Sequence, residues 1–332
     1  MKICFYVRIS DPKVLEIIGF YKQDIVALRK IDPSMKIATK IWEIDWKADV
    51  IFVWWWTYAF IPVLFGLLLK KAVFVTGTFN YRCPESPIDY FRRPFYQRVL
   101  IKFSIRNAKL NILVSKNEFD TIKTEWKLKN LAYSPHGVDI EKYKYSDKRE
   151  DFLLFTICWT GKYNLRRKCL PELISAIDRI RNKVPQVKLY VGGRKGDGFE
   201  EVKNMIIDRK LNDSIILLGE ISEEEKISYY QKCTIYLQPS KYEGFGLAIA
   251  EAMSCGAAVI TSRVGEVEYL VGDCGILIDG CEINDIADSV IGLMLHKVKN
   301  KNYGYKAAQR IRDVFPIERR EKELFELIKD NV

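Results

Sequence analysis

The sequence predicts an α/β protein made of two doubly wound parallel-sheet lobes, and three observations carry that prediction. The chain has 332 residues, strands alternate with helices in two runs separated by one break, and most strand-to-helix links carry glycine. At one domain per ~150 residues this length allows two. A composition of 48% hydrophobic and 29% charged residues is that of packed domains. The break is the charged, turn-prone stretch 141–151, so the lobes are assigned to residues 1–145 and 146–315, with a helix over about 316–332 packing back on the first. In such lobes ligands bind where strand C-termini meet helix N-termini, which puts the expected site in an interdomain cleft.

The first lobe opens with a strand over 2–7 and a helix near 15–30. Residues 49–55 read as a buried strand, Thr57 as the cap of a helix over 58–70, and 72–76 as the next strand. Residues 50–69 contain no charged side chain and are long enough to span a bilayer. A βαβ unit accounts for the same run, because parallel strands buried on both faces are continuously apolar, and Pro62 and Gly66 count against a span. Residues 90–108 form a basic helix interleaved with aromatics, 110–115 a strand and 118–126 a helix. The second lobe repeats the rhythm, with strands over 152–158, 186–191, 215–218, 235–238, 257–261 and 275–278 and helices over 170–182, 200–208, 222–232 and 245–254.

The net charge of +10 belongs entirely to residues 1–150, which hold 26 Lys+Arg against 16 Asp+Glu; the remaining 182 residues hold 27 of each. Such asymmetry suits an anionic partner of the first lobe, whether lipid headgroups, a phosphorylated acceptor or nucleic acid, or else a basic face that serves solubility. The eight cysteines show no C-x-x-C spacing and most lie in apolar segments, so they read as small buried hydrophobes in a reducing compartment. Two histidines, His136 and His296, leave little from which to build a multi-histidine metal site or a Ser-His-Asp relay. The opening apolar run meets Arg8 too soon for a signal peptide, which makes the cytoplasm the expected location, with peripheral contact at the membrane face.

The most informative stretch runs from Tyr236 to Gly256. A strand ends near Pro239, a loop presents Glu243, and Gly244, Phe245, Gly246 and Leu247 open a helix that stops at Gly256. Glycines let a ligand approach the backbone, and the exposed amides with the helix dipole favour an anion such as a diphosphate. Glu251, about two helical turns beyond Glu243, can accept hydrogen bonds from a vicinal diol such as a ribose. The strand, the two glutamates, the two glycines and the small-residue helix together are far more specific than a lone G-x-G.

These residues resemble glycosyltransferase family 4, retaining enzymes of the GT-B fold within the glycosyl transferases group 1. Glu243 and Glu251 match that family's Glu-x7-Glu motif, and the likeness extends through residues 257–265, 272–279 and Ser134-Pro-His136-Gly-Val-Asp139. It is thin before about residue 110. The resemblance implies that Glu243 contacts the donor sugar and that Glu251 holds the ribose. It also implies that the segment from Gly161 through Lys162 to Lys168 neutralises the diphosphate, with Lys162 standing where arginine is commoner. Gly192 and Gly193 are expected beside the nucleotide, and Gly219, Glu220 and Ile221 along its base. Three consecutive cations beginning a helix would themselves call for an anion nearby.

A departing diphosphate needs its charge stabilised, and such stabilisation is usually the largest catalytic effect. The chain contains no Asp-x-Asp of the kind that holds a metal in many sugar transferases, so no metal and no cofactor are expected, the nucleotide-sugar being a substrate. Lys162, Lys168 and the amides near Gly246 take the cation's place. Retention comes from the resemblance alone, with front-face attack guided by the leaving phosphate. The chain departs from the family in lacking a glycine-rich loop at Arg8–Pro12 and the acceptor-side histidine near Thr78 and Asn80. Those two residues and His136 are the acceptor-side candidates. The family's glutamate near Gly265 falls on Glu268 or is replaced by Tyr269.

The expected partners are a nucleotide-sugar donor and a glycan or lipid-linked acceptor. Arg92, Arg93, Arg98, Lys102 and Arg106, set among Phe91, Phe95, Tyr96 and Phe103, suit an anionic membrane surface; no nucleic-acid motif is present. The competing functions are a nucleotide-sugar epimerase or hydrolase on the same scaffold and a non-catalytic binder of nucleotide-sugars.

Overall fold

The computed structural model describes residues 1–83, 86 and 88–332. Its chain divides into two units, one comprising Met1–Gly137 with Ile317–Val332 and the other Val138–Pro316. The expected boundary near 145 thus moves back to Gly137, and the charged stretch after Glu141 lies inside the second unit, where Tyr143 is buried.

The first unit runs β1 (Ile3–Val7), α1 (Val14–Ile17), α2 (Gly19–Ile31), β2 (Lys36–Ala38), β3 (Val50–Trp54), α3 (Phe60–Leu69), β4 (Ala72–Gly77), α4 (Phe95–Asn107), β5 (Leu110–Leu113), α5 (Lys116–Trp126) and β6 (Leu131–Tyr133). All six strands are parallel, in the order β2-β1-β3-β4-β5-β6. Both faces of the sheet are covered, so β3 is buried from end to end: Ile51 and Val53 join one apolar cluster and Val50, Phe52 and Trp54 the other. Residues 50–69 are therefore a strand, a 3-10 turn (Trp56–Tyr58) and α3. Among the described residues no helix is long and apolar enough to cross a membrane. Thr57 lies inside the 3-10 turn, and the residue preceding α3 is Ala59, so the expected cap is displaced by two residues. The helix expected over 90–108 is interrupted: a 3-10 turn (Tyr90–Arg92) precedes Pro94, whose ring cannot continue a helix, and α4 begins at Phe95.

The second unit runs β7 (Glu150–Ile157), α6 (Lys162–Arg167), α7 (Leu170–Arg181), β8 (Lys188–Gly192), α8 (Phe199–Asp208), β9 (Ile215–Gly219), α9 (Glu223–Lys232), β10 (Cys233–Gln238), α10 (Leu247–Ser254), β11 (Ala258–Ser262), α11 (Val267–Val271), β12 (Ile276–Ile278), α12 (Ile283–Leu295) and α13 (Lys297–Val314). Its parallel strands lie in the order β12-β11-β10-β7-β8-β9, the dinucleotide-binding order read from the far edge. The winding reverses between β7 and β10, so a crevice opens beyond their carboxyl ends. Leu154 packs on one face of this sheet and Leu153 and Phe155 on the other, as alternation along a strand requires.

α14 (Ile317–Lys329) returns to the first unit and packs on α2. It is pinned by Arg320, whose Nε and Nη2 each donate to Asp24 at 3.1 Å with both side chains fully buried. Removing one partner of such a pair strands the other charge, at a cost of about 3–5 kcal/mol.

Two cysteines depart from the expectation of unlinked small hydrophobes. Cys169 and Cys281 form a disulfide, while Cys4, Cys83, Cys158, Cys233, Cys255 and Cys274 are free and buried. The bridged residues are 112 apart in sequence and meet only because the turn before α7 and the loop after β12 converge in the fold, which spacing cannot reveal.

Candidate active site

β7 and β10 deliver their chains to the crevice at the reversal point. After β7, residues Cys158–Gly161 lead into α6, and Lys168 follows its last residue. After β10, a loop carries Ser240 and Glu243 toward Gly246, where φ is +89°, a conformation glycine adopts freely, before α10 starts. The first helical residue is Leu247 rather than Phe245; Phe245 is buried against Phe315, with ring centroids 5.7 Å apart.

Glu243 is the centre of this arrangement. Its Oε1 accepts from Arg167 Nη1 at 3.0 Å, Gln238 Nε2 at 2.8 Å and Ser240 Oγ at 2.8 Å, and the side chain is nearly buried. Arg167 Nη1 also donates to the Tyr242 carbonyl at 2.8 Å. Lys168 Nζ donates to the Ile157 carbonyl at 2.9 Å and to Gln238 Oε1 at 3.4 Å, which ties it to the same cluster. A Cβ on Gly265, where φ is +54°, would stand 1.9 Å from the Glu243 carbonyl oxygen, so that glycine fixes the loop from beneath.

The electrostatics follow. Burial pushes the Glu243 carboxyl up, but Arg167, Lys168 and the Ser240 hydroxyl outweigh it and hold the group below its ordinary value, ionised. Burial pushes Lys168 down; Glu243 pulls it back and Arg167 adds repulsion, leaving it below the ordinary lysine range. Burial also lowers Arg167, but Glu243 more than restores it, so its pKa is raised. Two cations thus face one carboxylate, and the surplus charge is available to an anion in the crevice.

Glu251, inside α10, sits in a different setting. The Tyr143 hydroxyl, whose one hydrogen is shared between Glu223 and this carboxylate, stands 2.9 Å from Oε1; Tyr230 Oη donates to Oε2 at 3.1 Å, and Lys226 Nζ lies 3.1 Å from Oε2. Lys226 also pairs with Glu223 at 3.2 Å, and Lys142 pairs with Glu223 at 2.9 Å. Each Glu251 oxygen already has a partner, and a second lone pair on Oε1 remains for a hydroxyl donor.

The other candidates fall as follows. Lys162 is exposed in the first turn of α6, its amide donating to Asp197 Oδ1 at 2.8 Å, whereas Arg167 at the end of that helix reaches Glu243. The cations expected to begin a helix instead end one: Arg166 and Arg167 close the six-residue α6, where the dipole favours them. Gly161 precedes α6, and Gly193, next to Gly192 at the end of β8, donates its amide to the Gly219 carbonyl at 2.8 Å. Glu220 is exposed, Ile221 is half-buried, and Gly244 lies beside Glu243. Near Gly265, Glu268 is exposed and paired with Arg263 while Tyr269 is exposed; Glu266 is the buried acid there.

On the first unit, Thr78 is half-buried after β4 and its carbonyl accepts from Asn80 Nδ2 at 3.3 Å. His136 is a packed residue, with Nδ1 3.0 Å from Gln23 Nε2 and its ring stacked on Trp54 and Phe20; burial and Arg320 hold it well below its ordinary pKa, neutral. A cavity of about 630 Å³ opens instead at the carboxyl ends of β1 and β3, lined by Tyr6, Arg8, Ser10, Lys40, Trp42 and Tyr58 among others. Sequence reading missed Arg167 as the partner of Glu243, although it named the segment. It also missed Tyr143, Lys226 and Tyr230 around Glu251, which come from distant elements with no spacing to betray them. Among the described residues no group of three or more His, Cys, Asp or Glu side chains converges as a metal site.

Comparison with known proteins bears on both units. The chain is 27% identical over 254 residues to an uncharacterized glycosyltransferase of Methanocaldococcus jannaschii, covering 74% of this chain and 66% of that protein. It is 28% identical over 188 residues to the GDP-mannose:cellobiosyl-diphosphopolyprenol alpha-mannosyltransferase of Xanthomonas oryzae pv. oryzae, covering 56% of this chain and 49% of that protein. The alignments thus span about half to two thirds of these relatives. The crystal structure of HepE from Anabaena in complex with UDP and glucose superposes with a TM-score of 0.83 at 17% identity, covering 99% of this chain and all of that one. This likeness and the two six-stranded parallel sheets bear out the α/β, GT-B architecture. The family model described as glycosyl transferases group 1 matches residues 160–310, the stretch that carries Arg167, Lys168, Glu243 and Glu251. Through that region the chain is similar to the glycosyl transferases group 1.

Proposed function

We propose that the chain transfers a sugar from a nucleoside diphosphate to a glycan or lipid-linked acceptor, with retention at the anomeric carbon and without a metal ion. The observation that carries the reading is the cluster at the reversal point of the second sheet, where Arg167 and Lys168 outnumber the one carboxylate between them. A diphosphate in that crevice meets two cations and the amides at the start of α10, where developing negative charge is stabilised most effectively. Glu243, kept ionised by the same cations, is oriented toward the sugar on that diphosphate, and Glu251 takes the ribose through its remaining acceptor capacity.

The reaction then needs little covalent chemistry from the protein. The bond from the anomeric carbon to the phosphate oxygen breaks and the acceptor oxygen attacks the same face. The acceptor's proton passes to the departing phosphate oxygen, whose charge Arg167 and Lys168 stabilise. Relatives whose names specify a donor or ligand include one with GDP-mannose and one with UDP, so the base is left to experiment. The acceptor belongs on the first unit, whose positive charge and cationic helix α4 suit an anionic, membrane-held molecule.

The test is a panel of nucleoside diphosphates and nucleotide-sugars read by thermal shift, followed by donor turnover with and without acceptor. A stabilising diphosphate and acceptor-dependent turnover that survives a chelator support the reading. Donor conversion without any acceptor would instead indicate an epimerase or hydrolase, and diphosphate binding without turnover a binding protein.

A further inference from the structure

The first unit carries a surface that sugar transfer leaves unused. α3 packs on the sheet through Pro62, Val63 and Gly66, while Ile61, Phe65, Leu67, Leu68 and Leu69 are each between 42% and 70% exposed. No charged residue interrupts the helix before Lys70. α4 packs beside it, with the Phe60 and Phe103 ring centroids 5.2 Å apart. The outward side of α4 is apolar at first, through Phe95, Tyr96 and Val99, and then cationic through Lys102 and Arg106. Cations also stand at both ends of α3: Lys70 and Lys71 follow it, and Arg8 and Lys40 line the cavity whose wall includes Ile61.

Single exposed leucines need no explanation, but a contiguous apolar face with cations at both its ends does. A second copy of the chain would bring those cations against one another. An anionic bilayer satisfies both parts, since acyl chains accept the leucines and lipid phosphates meet the lysines and arginines. At ten residues α3 is too short to cross the hydrocarbon core, so it would lie in the plane of the interface. We propose that α3, with α4 beside it, docks the first unit on an anionic bilayer by burying its apolar face among the acyl chains. This deepens the membrane contact of the transferase reading by making α3, rather than the cations of residues 90–108 alone, the principal anchor. It rests on that contact and not on the transfer step.

Sedimentation of the full chain with vesicles of phosphatidylcholine, with and without phosphatidylglycerol, tests it. The wild type is expected to bind the mixed vesicles and to keep a bound fraction at high salt, because the apolar contribution is not screened. Phe65→Glu combined with Leu68→Glu should weaken binding roughly tenfold or more and abolish the salt-resistant fraction. Lys102→Gln combined with Arg106→Gln should reduce the salt-sensitive part and spare the rest. Complete release of the wild type by salt, or unchanged binding of the α3 variant, would overturn the proposal. So would vesicle binding that is indifferent to the α3 substitutions while a wild-type dimer is lost. Nucleoside diphosphate binding by the same samples reports on the second unit, so a failure there is told apart from a failure here.

Discussion

Glu243 and Glu251 lie eight residues apart in one stretch of the second unit, yet their surroundings differ in kind. Around Glu243 two cations face one carboxylate. Around Glu251 the charges balance, since Lys142 and Lys226 face Glu223 and Glu251, and two tyrosine hydroxyls complete the shell. Spacing presents the two glutamates as a pair. The environment divides them into a site with charge left over for an anionic ligand and a site already neutral, suited to fixing a ligand's hydroxyl groups.

The sharpest way to break this contrast is to exchange the roles. Glu243→Ala, Arg167→Ala and Lys168→Ala are each expected to lower turnover by ~10²-fold or more with the circular dichroism of the fold retained, as loss of a transition-state contact does. Glu251→Ala is expected to act mainly by raising the donor KM. If Glu251→Ala lowers kcat as deeply as Glu243→Ala while KM holds, the division is wrong.

A pH profile sharpens it further. Burial depresses Lys168, so its charge is lost as pH rises earlier than for an ordinary lysine. The alkaline limb of kcat/KM should therefore appear below the usual lysine range, and Lys168→Arg should move it upward. An unmoved limb would assign it to another group. By linkage, a cationic group depressed in the folded state binds its proton more weakly there than in the unfolded chain, so its contribution to stability rises with pH across that window.

The neutral cluster gives a signal of the same sign in acid. Burial pushes Glu223 up, but Tyr143, Lys226 and Lys142 pull it down to about 2 from an ordinary 4.5. Its contribution is complete above the ordinary value and is lost as pH falls toward 2, so Glu223→Gln should flatten that part of the acid unfolding curve. The smallest effect concerns Cys169–Cys281, which holds the residue after Lys168 to the loop beyond β12. Reduction should lower the melting temperature, in line with the ~2–4 kcal/mol typical of such links, without changing which nucleotide is preferred.

What the sequence made legible follows from which forces are local. Strand and helix alternation, buried β3 and the loop bearing Glu243 were readable because periodicity and glycine placement are local properties. The short parallel strands β2 and β6 at the edges of the first sheet escaped, since three residues carry no pattern. α6 was misjudged because a six-residue helix ending in Arg166 and Arg167 reads, in one dimension, like the start of the next. Phenols at 143 and 230 around Glu251 depend on the segment before β7, α9 and α10 coming together, which no spacing encodes.

Calorimetric titration of the full chain with the preferred nucleoside diphosphate and its monophosphate, in excess chelator, tests the central claim most directly. A surplus of positive charge at Arg167 and Lys168 predicts that the diphosphate binds at least roughly tenfold more tightly and that the advantage disappears in Arg167→Ala with Lys168→Ala. Equal affinities, or a preference that returns only with a divalent ion, would contradict it.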